Sequence, residues 1–354
     1  MRIVPVAVLV FFASTLAAAP PEYRQVEIPG IPEEGLVNVY PADINNHGVV
    51  VGAMDRLPGF VPVRAFLWTG SGGSIDLGDL GVFEFAHAVG INDANQVIGN
   101  AEVADPNDPL GHSIHGFFWE SGAMTDLPPL GGDAESRAVA INELGEVLVA
   151  SLDPADAARD RYYIWTRRRV TTIGRLSAYP GGPAGFATSM NDARQVVGSA
   201  IHRDGVERAF VWENGRFTDL GLAPGDDFFS IAYRITNDGT ILGESHAFDD
   251  ANGHGARSQG VVWRDRALVR TIPPLPGSYV LAPIGVNASG TIVGYSGFPS
   301  SAFVSFGGEA IDLNELVPGA RPLRFLYQGT DVNDRGQIVV DGQFGCCGYL
   351  LEPK

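Results

Sequence analysis

With 354 residues, of which 45% are apolar and 18% charged, and with 45 Gly and 24 Pro, the chain is rich in turns and long enough to bury a large core. Its formal charge is −17 and Lys354 is its only lysine. That excludes the common nucleic-acid-binding classes, whose affinity comes from neutralising phosphates with many Lys and Arg. The single basic run, Arg167-Arg168-Arg169 after Trp165, reads as a solvated turn.

The N-terminus begins Met1-Arg2-Ile3-Val4-Pro5, continues as an apolar run to Phe12 and exits through Ser14-Thr15-Leu16-Ala17-Ala18-Ala19. One basic residue, a short apolar core and a small-residue exit predict a signal peptide over residues 1–19. A membrane span would need about 20 apolar residues. Cleavage near Ala17 to Ala19 would release a secreted protein, extracellular or periplasmic, with no transmembrane segment in the mature chain.

From Ala42 onward one motif returns seven times at intervals of 45 to 51 residues, with its turn at Asn45, Asn92, Asn142, Asn191, Thr236, Asn287 and Asn333. A period of about 40–50 residues marks a propeller or solenoid, in which one supersecondary unit is stacked because it cannot bury its apolar face alone. Each repeat reads as four strands, a to d. Strand a carries a small residue or proline four positions before the turn residue: Pro41, Ala88, Ala138, Ala187, Ala232, Pro283, Gly329. Proline has no ladder donor, so strand a belongs at a sheet edge.

The turn has Asn-Asp-x-Gly chemistry. An Asn side chain can bond amides further along the turn, and the fourth residue takes positive φ. That residue is Gly48, Asn95, Gly145, Arg194, Gly239, Gly290 and Gly336; Arg194 is the misfit and is expected to be strained. Strand b is a β-branched pair that usually precedes Gly, as in Val50-Val51-Gly52. Strand c carries bulky packing residues, as in Ala65-Phe66-Leu67-Trp68. An aromatic at one position per repeat reads as packing between repeats.

Strand d appears six times, from Ile75-Asp76-Leu77 to Ile311-Asp312-Leu313. The seventh copy lies at the other end of the chain, where Val26-Glu27-Ile28-Pro29 repeats the pattern of Thr125-Asp126-Leu127-Pro128. Residues 25–28 are therefore expected to pair with strand c around Tyr349. The predicted fold is all-β: a single domain over residues 22–353, a seven-bladed β-propeller with four strands per blade, its ring closed by the N-terminal strand.

These repeats resemble the HAF repeat of exported bacterial proteins, named for a His-Ala-Phe triplet. The resemblance covers residues 25–351 and rests on Ile-Asn-Asp-x-Gly-x-Val-Val-Gly, the Ala-Phe-x-Trp strand and Thr-Asp-Leu-Gly-x-Leu-Gly-Gly. The histidine is kept only at His115; Arg64, Arg161, Arg208, Gln259, Ser301 and Cys347 stand in its place elsewhere. The resemblance implies an exported propeller-like protein and brings no catalytic set with it.

The b-to-c loops and d-to-a connections vary, whereas the a-to-b and c-to-d turns are short and alike. In an up-and-down meander the two variable sets emerge on one face, and that face, with the channel mouth, is the expected site for a ligand or protein partner. Metal-ligand residue types occur there: His112 and His115, the Asp105-Pro106-Asn107-Asp108 segment, and Asp249, Asp250 and His254. Their spacing matches no closed metal signature, so no cofactor, metal site or catalytic residue is assigned. Adjacent Cys346 and Cys347 leave a vicinal bridge, cross-linking and free thiols all open.

The reading is a monomeric, non-catalytic propeller that binds a ligand, polysaccharide or protein. The alternative is a secreted hydrolase or lyase acting on glycans at the channel mouth, recognisable by a carboxylate pair, or by His with Tyr or Arg, converging there.

Overall fold

The computed structural model describes residues 20–56, 63–81, 85–106, 111–153, 160–249, 255–297, 300–319, 325–342 and 347–354. The expected export segment, Asn107, Asp108, Asp250, His254 and Cys346 lie outside the described residues, and of Asp249 only the backbone is described.

Each repeat folds as a four-stranded antiparallel meander. In the first the order is Asn38–Ile44, Val50–Asp55, Val63–Trp68, Ile75–Asp76, with strand a at the edge as its proline requires. The second, third and sixth repeats form separate sheets of the same order. The fourth and fifth share one eight-stranded sheet, joined by a single parallel pair, Glu207 with Phe229. In the last sheet the strands run Tyr23–Glu27, Gly348–Pro353, Ile338–Gly342, Leu326–Val332. The N-terminal strand supplies the absent strand d, with Glu27 opposite Tyr349 and Val26 opposite Leu350. Ile28 extends the pairing by donating its N–H to the Gly348 carbonyl at 2.9 Å.

The small residue of strand a has a specific cause. Immediately after Pro41, Ala88, Ala138, Ala187, Ala232, Pro283 and Gly329 the register with strand b slips by one residue, a β-bulge that adds twist. Opposite it, a Cβ on Gly52 or Gly198 would collide with the carbonyl oxygen of Tyr40 or Phe186, and that contact selects glycine on strand b.

The positive φ expected at the fourth turn position is present, at 59° for Asn95 and 57° for Arg194. The sixth repeat departs from expectation. Its strand d stops at Asp312, and Leu313–Leu316 form one helical turn capped by the Asp312 carboxylate, which accepts the Asn314 N–H at 2.9 Å.

The core lies between consecutive sheets. Val51, Ala65 and Leu67 of the first repeat pack on Ala86, Val97 and Phe117 of the second. Val339 and Leu350 of the last sheet pack on Val50, Phe66 and Trp68 of the first. Burying one such aromatic contributes about 1.5–3 kcal/mol. Trp68 and Trp263 are buried and donate their indole N–H to the Gly72 and Leu220 carbonyls, as the packing reading of the aromatic stripe requires. Among the described residues no helix is long and apolar enough to cross a membrane.

Candidate functional site: the channel between the strand-a edges

The strand-a edges and their turns surround a cavity of ≈ 1200 Å³. At the turn end, two rows of hydrogen bonds run from repeat to repeat. In these turns the Asn Oδ1 accepts the amides two and four residues on, as His47 and Val49 donate to Asn45, except that at Asn287 the Ser289 hydroxyl takes the place of the first amide. The Asn Nδ2 reaches the next repeat, while that of Asn92, Asn142, Asn191 and Asn333 also donates to the side chain four residues on. Asn45 donates to the Asn92 carbonyl, Asn92 to Asn142, Asn142 to Asn191, Asn191 to Thr236, Asn287 to Asn333, and Asn333 back to Asn45, at 2.9–3.4 Å.

The residue after the Asn forms the second row. Its N–H is accepted by the side chain at the same position of the next repeat: Asn46 by Asp93, Asp93 by Glu143, Glu143 by Asp192, Asp192 by Asn237, Ala288 by Asp334, and Asp334 by Asn46. Both rows miss one joint, between the fifth and sixth repeats. Thr236 has no amide to extend and turns back on its own loop, bonding Asp238 and the Thr240 carbonyl. Ala288 has no acceptor to offer Asn237. Burial, with Asp93 and Asp192 as neighbours, pushes the Glu143 carboxyl above its ordinary value.

Two residues before each turn residue, strand a carries Asp43, Gly90, Ala140, Ser189, Arg234, Gly285 and Asp331. Asp43 accepts the Ile91 N–H of the second repeat at 2.9 Å, and Ser189 the Ile235 N–H of the fifth at 3.3 Å. Arg234 crosses the channel. Its Nη2 donates to Asp331 Oδ1 at 2.7 Å and lies 3.5 Å from Asp43 Oδ1. Burial pushes the Asp331 carboxyl well up, and Arg234 opposes that push. The two carboxylates in turn hold the guanidinium firmly charged. Although deep in the protein, Arg234 keeps 32% of its side-chain surface accessible. Spare space beside Asp331 is absent: a Cβ on Gly285 would lie 2.7 Å from Asp331 Oδ1.

The loop end of the cavity is different. It is bordered by Asn100, Arg137, Asp160, Tyr162, Phe186 and Tyr233, and Phe186 is 64% exposed. His87 lies near Arg137, and burial with that cation lowers its pKa. Behind Tyr233 sits a buried polar set: its hydroxyl donates to Glu244 Oε1 at 2.6 Å, and His246 Nε2 lies 2.9 Å from the same oxygen. That imidazole atom is out of line for a hydrogen bond and has no hydrogen-bond partner. Burial first, and Glu244 second, raise the Tyr233 pKa.

Of the residues singled out by ligand type, His112 and His115 are described with their side chains and each faces a different carboxylate. His115 Nδ1 lies 2.9 Å from Asp126 Oδ1, while His112 Nδ1 is 3.7 Å from Glu102 Oε1. Among the described residues no group of three or more His, Cys, Asp or Glu could hold a metal ion. Arg234, Tyr233, Glu244 and His246 were missed by motif reading. The signal for Arg234 was available as the one cation in its repeat column.

No protein-family profile matches the chain, and no characterised protein matches it in sequence. Solved structures do. An acylaminoacyl peptidase from Pyrococcus horikoshii aligns at TM-score 0.56 with 9% identity, covering 92% of this chain and 53% of that one. A chain of a mitotic checkpoint complex aligns at 0.51 with 15% identity over 99% of both. The β-propeller domain of a trilobed protease from Pyrococcus furiosus aligns at 0.42 with 14% identity, covering 63% and 64%. The fold is a β-propeller. This chain spans about half the length of the peptidase it matches, and likeness at such identities concerns architecture alone.

Proposed function

We propose that the chain is an exported seven-bladed propeller, similar to the HAF-repeat proteins, that closes its ring through the N-terminal strand and binds a ligand at the loop-end mouth of its channel without catalysis. The ring reading is supported by the Asn333 to Asn45 bond and the Val339, Leu350 and Phe66 packing, which tie the last repeat to the first. One observation carries the binding reading. The polar residues that recur in the turns are consumed in bonds between repeats, whereas Arg137, Phe186 and Tyr233, which do not recur, border the cavity at its loop end. A largely preformed cavity with an exposed ring and a few polar groups suits ligand capture.

The test is a thermal-shift screen against saccharides, divalent cations and short peptides, since whatever binds only the folded state raises its melting temperature. A saturable shift that Phe186→Ala abolishes supports the reading; a shift indifferent to Phe186 and Arg137 sinks it. Export is tested by N-terminal sequencing of the secreted protein, which should begin near Pro20.

A second reading, a glycan hydrolase or lyase, is favoured by one observation: Tyr233, Glu244 and His246 converge beside the cavity. Polymer turnover by the wild type that Tyr233→Phe removes, with folding intact, would establish it in place of the first.

A further inference from the structure

We propose that the fifth repeat carries a transition-metal site, in which His246 Nε2, Glu244 Oε1 and the Tyr233 oxygen ligate a divalent ion of tetragonal preference, Cu²⁺ above others. The inference goes beyond both readings of the channel mouth and needs neither a saccharide nor turnover. Glu244 and His246 stand two residues apart on strand b (Ile241–Asp249), so both side chains leave one face of the sheet. Tyr233 reaches them from strand a (Phe229–Ile235). The repeat itself does not call for this set: the Glu244 position holds Ala53, Ala150 and Ser199 in the first, third and fourth repeats.

Two features of the set are not accounted for by hydrogen bonding within the chain. His246 Nε2 is buried and has no hydrogen-bond partner although Glu244 Oε1 lies only 2.9 Å away, and a buried polar atom in that state calls for a water or an ion. Glu244 is 7% exposed, and among the described residues its ion-pair neighbour is His246 alone. No guanidinium or ammonium neutralises it, because Arg234, next to Tyr233 in the chain, is held by Asp331 and Asp43. A buried carboxylate without a permanent cation is costly, and coordination of a metal relieves that cost.

The spacing fits such an ion. Two ligand atoms about 2.0–2.1 Å from one metal and at about a right angle stand roughly 2.9 Å apart, which is the separation of Nε2 and Oε1. The ion then lies to one side of the line joining them, and the imidazole nitrogen is likewise out of line with the carboxylate. The Tyr233 oxygen is 2.6 Å from Oε1, a few tenths of an ångström short of the same spacing. Imidazole and oxygen donors at right angles suit Cu²⁺ and Ni²⁺, and Cu²⁺ heads the affinity order for such sites. Phe229 lies flat on the imidazole at 3.8 Å and fixes its plane, which lowers the ordering cost of binding. On binding, the Tyr233 O–H bond breaks, its proton passes to solvent, and the phenolate oxygen bonds to the ion, whose oxidation state does not change.

The experiment titrates Cu²⁺ into the untagged, chelator-treated full chain and reads visible absorption and electron paramagnetic resonance. Saturable uptake is expected, with a phenolate-to-copper charge-transfer band and coupling to a single imidazole nitrogen. Tyr233→Phe should keep the ion and lose the band. Glu244→Gln and His246→Phe, which preserve the bulk of each side chain, should each weaken binding at least about tenfold, and His112→Ala should leave it unaltered. Copper taken up without the band, or with a band that survives Tyr233→Phe, overturns the site. Uptake indifferent to His246→Phe overturns it too, as capture by surface histidines only. No saturable uptake would leave Glu244 and His246 as an ion pair and likewise sink the proposal. The band is read on the wild type, so a variant that fails to fold does not remove the test. Ligand binding that depends on Phe186 stands or falls separately from every one of these outcomes.

Discussion

Two joints between repeats solve the same problem differently. Where the last repeat meets the first, residues 288 positions apart are tied by Asn333 to the Asn45 carbonyl, by the Asp334 N–H to Asn46, and by a shared apolar cluster. Where the fifth meets the sixth, neighbours in sequence, both turn rows are broken at Thr236 and Ala288. The fifth repeat instead sends Arg234 across the channel to Asp331 and Asp43, of the seventh and first repeats. The joint farthest apart in sequence is the fully bonded one, and the loss at a local joint is offset by a charge through the middle.

The hardest test of that comparison removes the crossing charge. Arg234→Met leaves two buried carboxylates without their cation and should cost about 3–5 kcal/mol near neutral pH, read by denaturant unfolding. Part of the loss should return in acid, because the Asp331 carboxyl already takes up a proton well above its ordinary range, and adding Asp331→Asn should restore more. A cost below about 1 kcal/mol would mean that Arg234 ties nothing.

Next in size is Asp341, on strand b of the last repeat, whose carboxyl burial pushes up to about 7 from 3.8. The folded state therefore keeps a proton that the unfolded chain releases, and stability falls as pH climbs from about 4 to about 7. Asp341→Asn should abolish a slope worth up to roughly 4 kcal/mol, leaving the variant more stable than the parent at pH 8 and no more stable at pH 4. An unchanged slope would place the titration elsewhere.

The two joints should then respond unequally to one substitution. Asn333→Ala removes two amide acceptances and the bond to Asn45 and should cost about 2 kcal/mol, whereas Thr236→Ala, losing bonds within one turn, should cost under about 1 kcal/mol. Equal losses in paired melts would show that the rows between repeats contribute nothing. Conversely, Thr236→Asn with Ala288→Asp rebuilds both links and should add about 1 kcal/mol, visible as a higher melting temperature.

The smallest effect is expected at Arg194, where a non-glycine residue at φ 57° costs roughly 1–2 kcal/mol and is compensated by Nε and Nη2 bonds to Glu146 at 2.9 and 2.6 Å. Arg194→Gly should change stability by under about 0.5 kcal/mol at pH 7. Arg194 lowers the Glu146 carboxyl, so its compensation holds above the ordinary carboxylate range and fades as pH falls through the lowered value. The glycine variant should overtake the parent only there.

The sequence by itself determined what is local or repeated: the turn at each Asn, the positive φ at Asn95 and Arg194, the edge position of strand a, and the N-terminal strand paired with Tyr349. Turn chemistry and alternating burial act over a few residues, and sevenfold recurrence separates them from chance. Even the missing strand d was legible, because an absent copy in a period is itself a signal.

Tertiary structure alone decided where side chains leaving a repeat find their partners. The Nδ2 of Asn45 looks like turn chemistry in sequence, yet its acceptor lies 47 residues away. Arg234 looks like any surface cation until the strand-a edges converge on one channel and leave it opposite two carboxylates. Phe228 and Phe248, 20 residues apart in the chain, become neighbours only when strands a and b pair Phe229 with His246. The reason is geometric: a repeat encodes the shape of one meander, but contacts across the channel depend on where rigid sheets stop relative to one another, and no short window of sequence contains that distance.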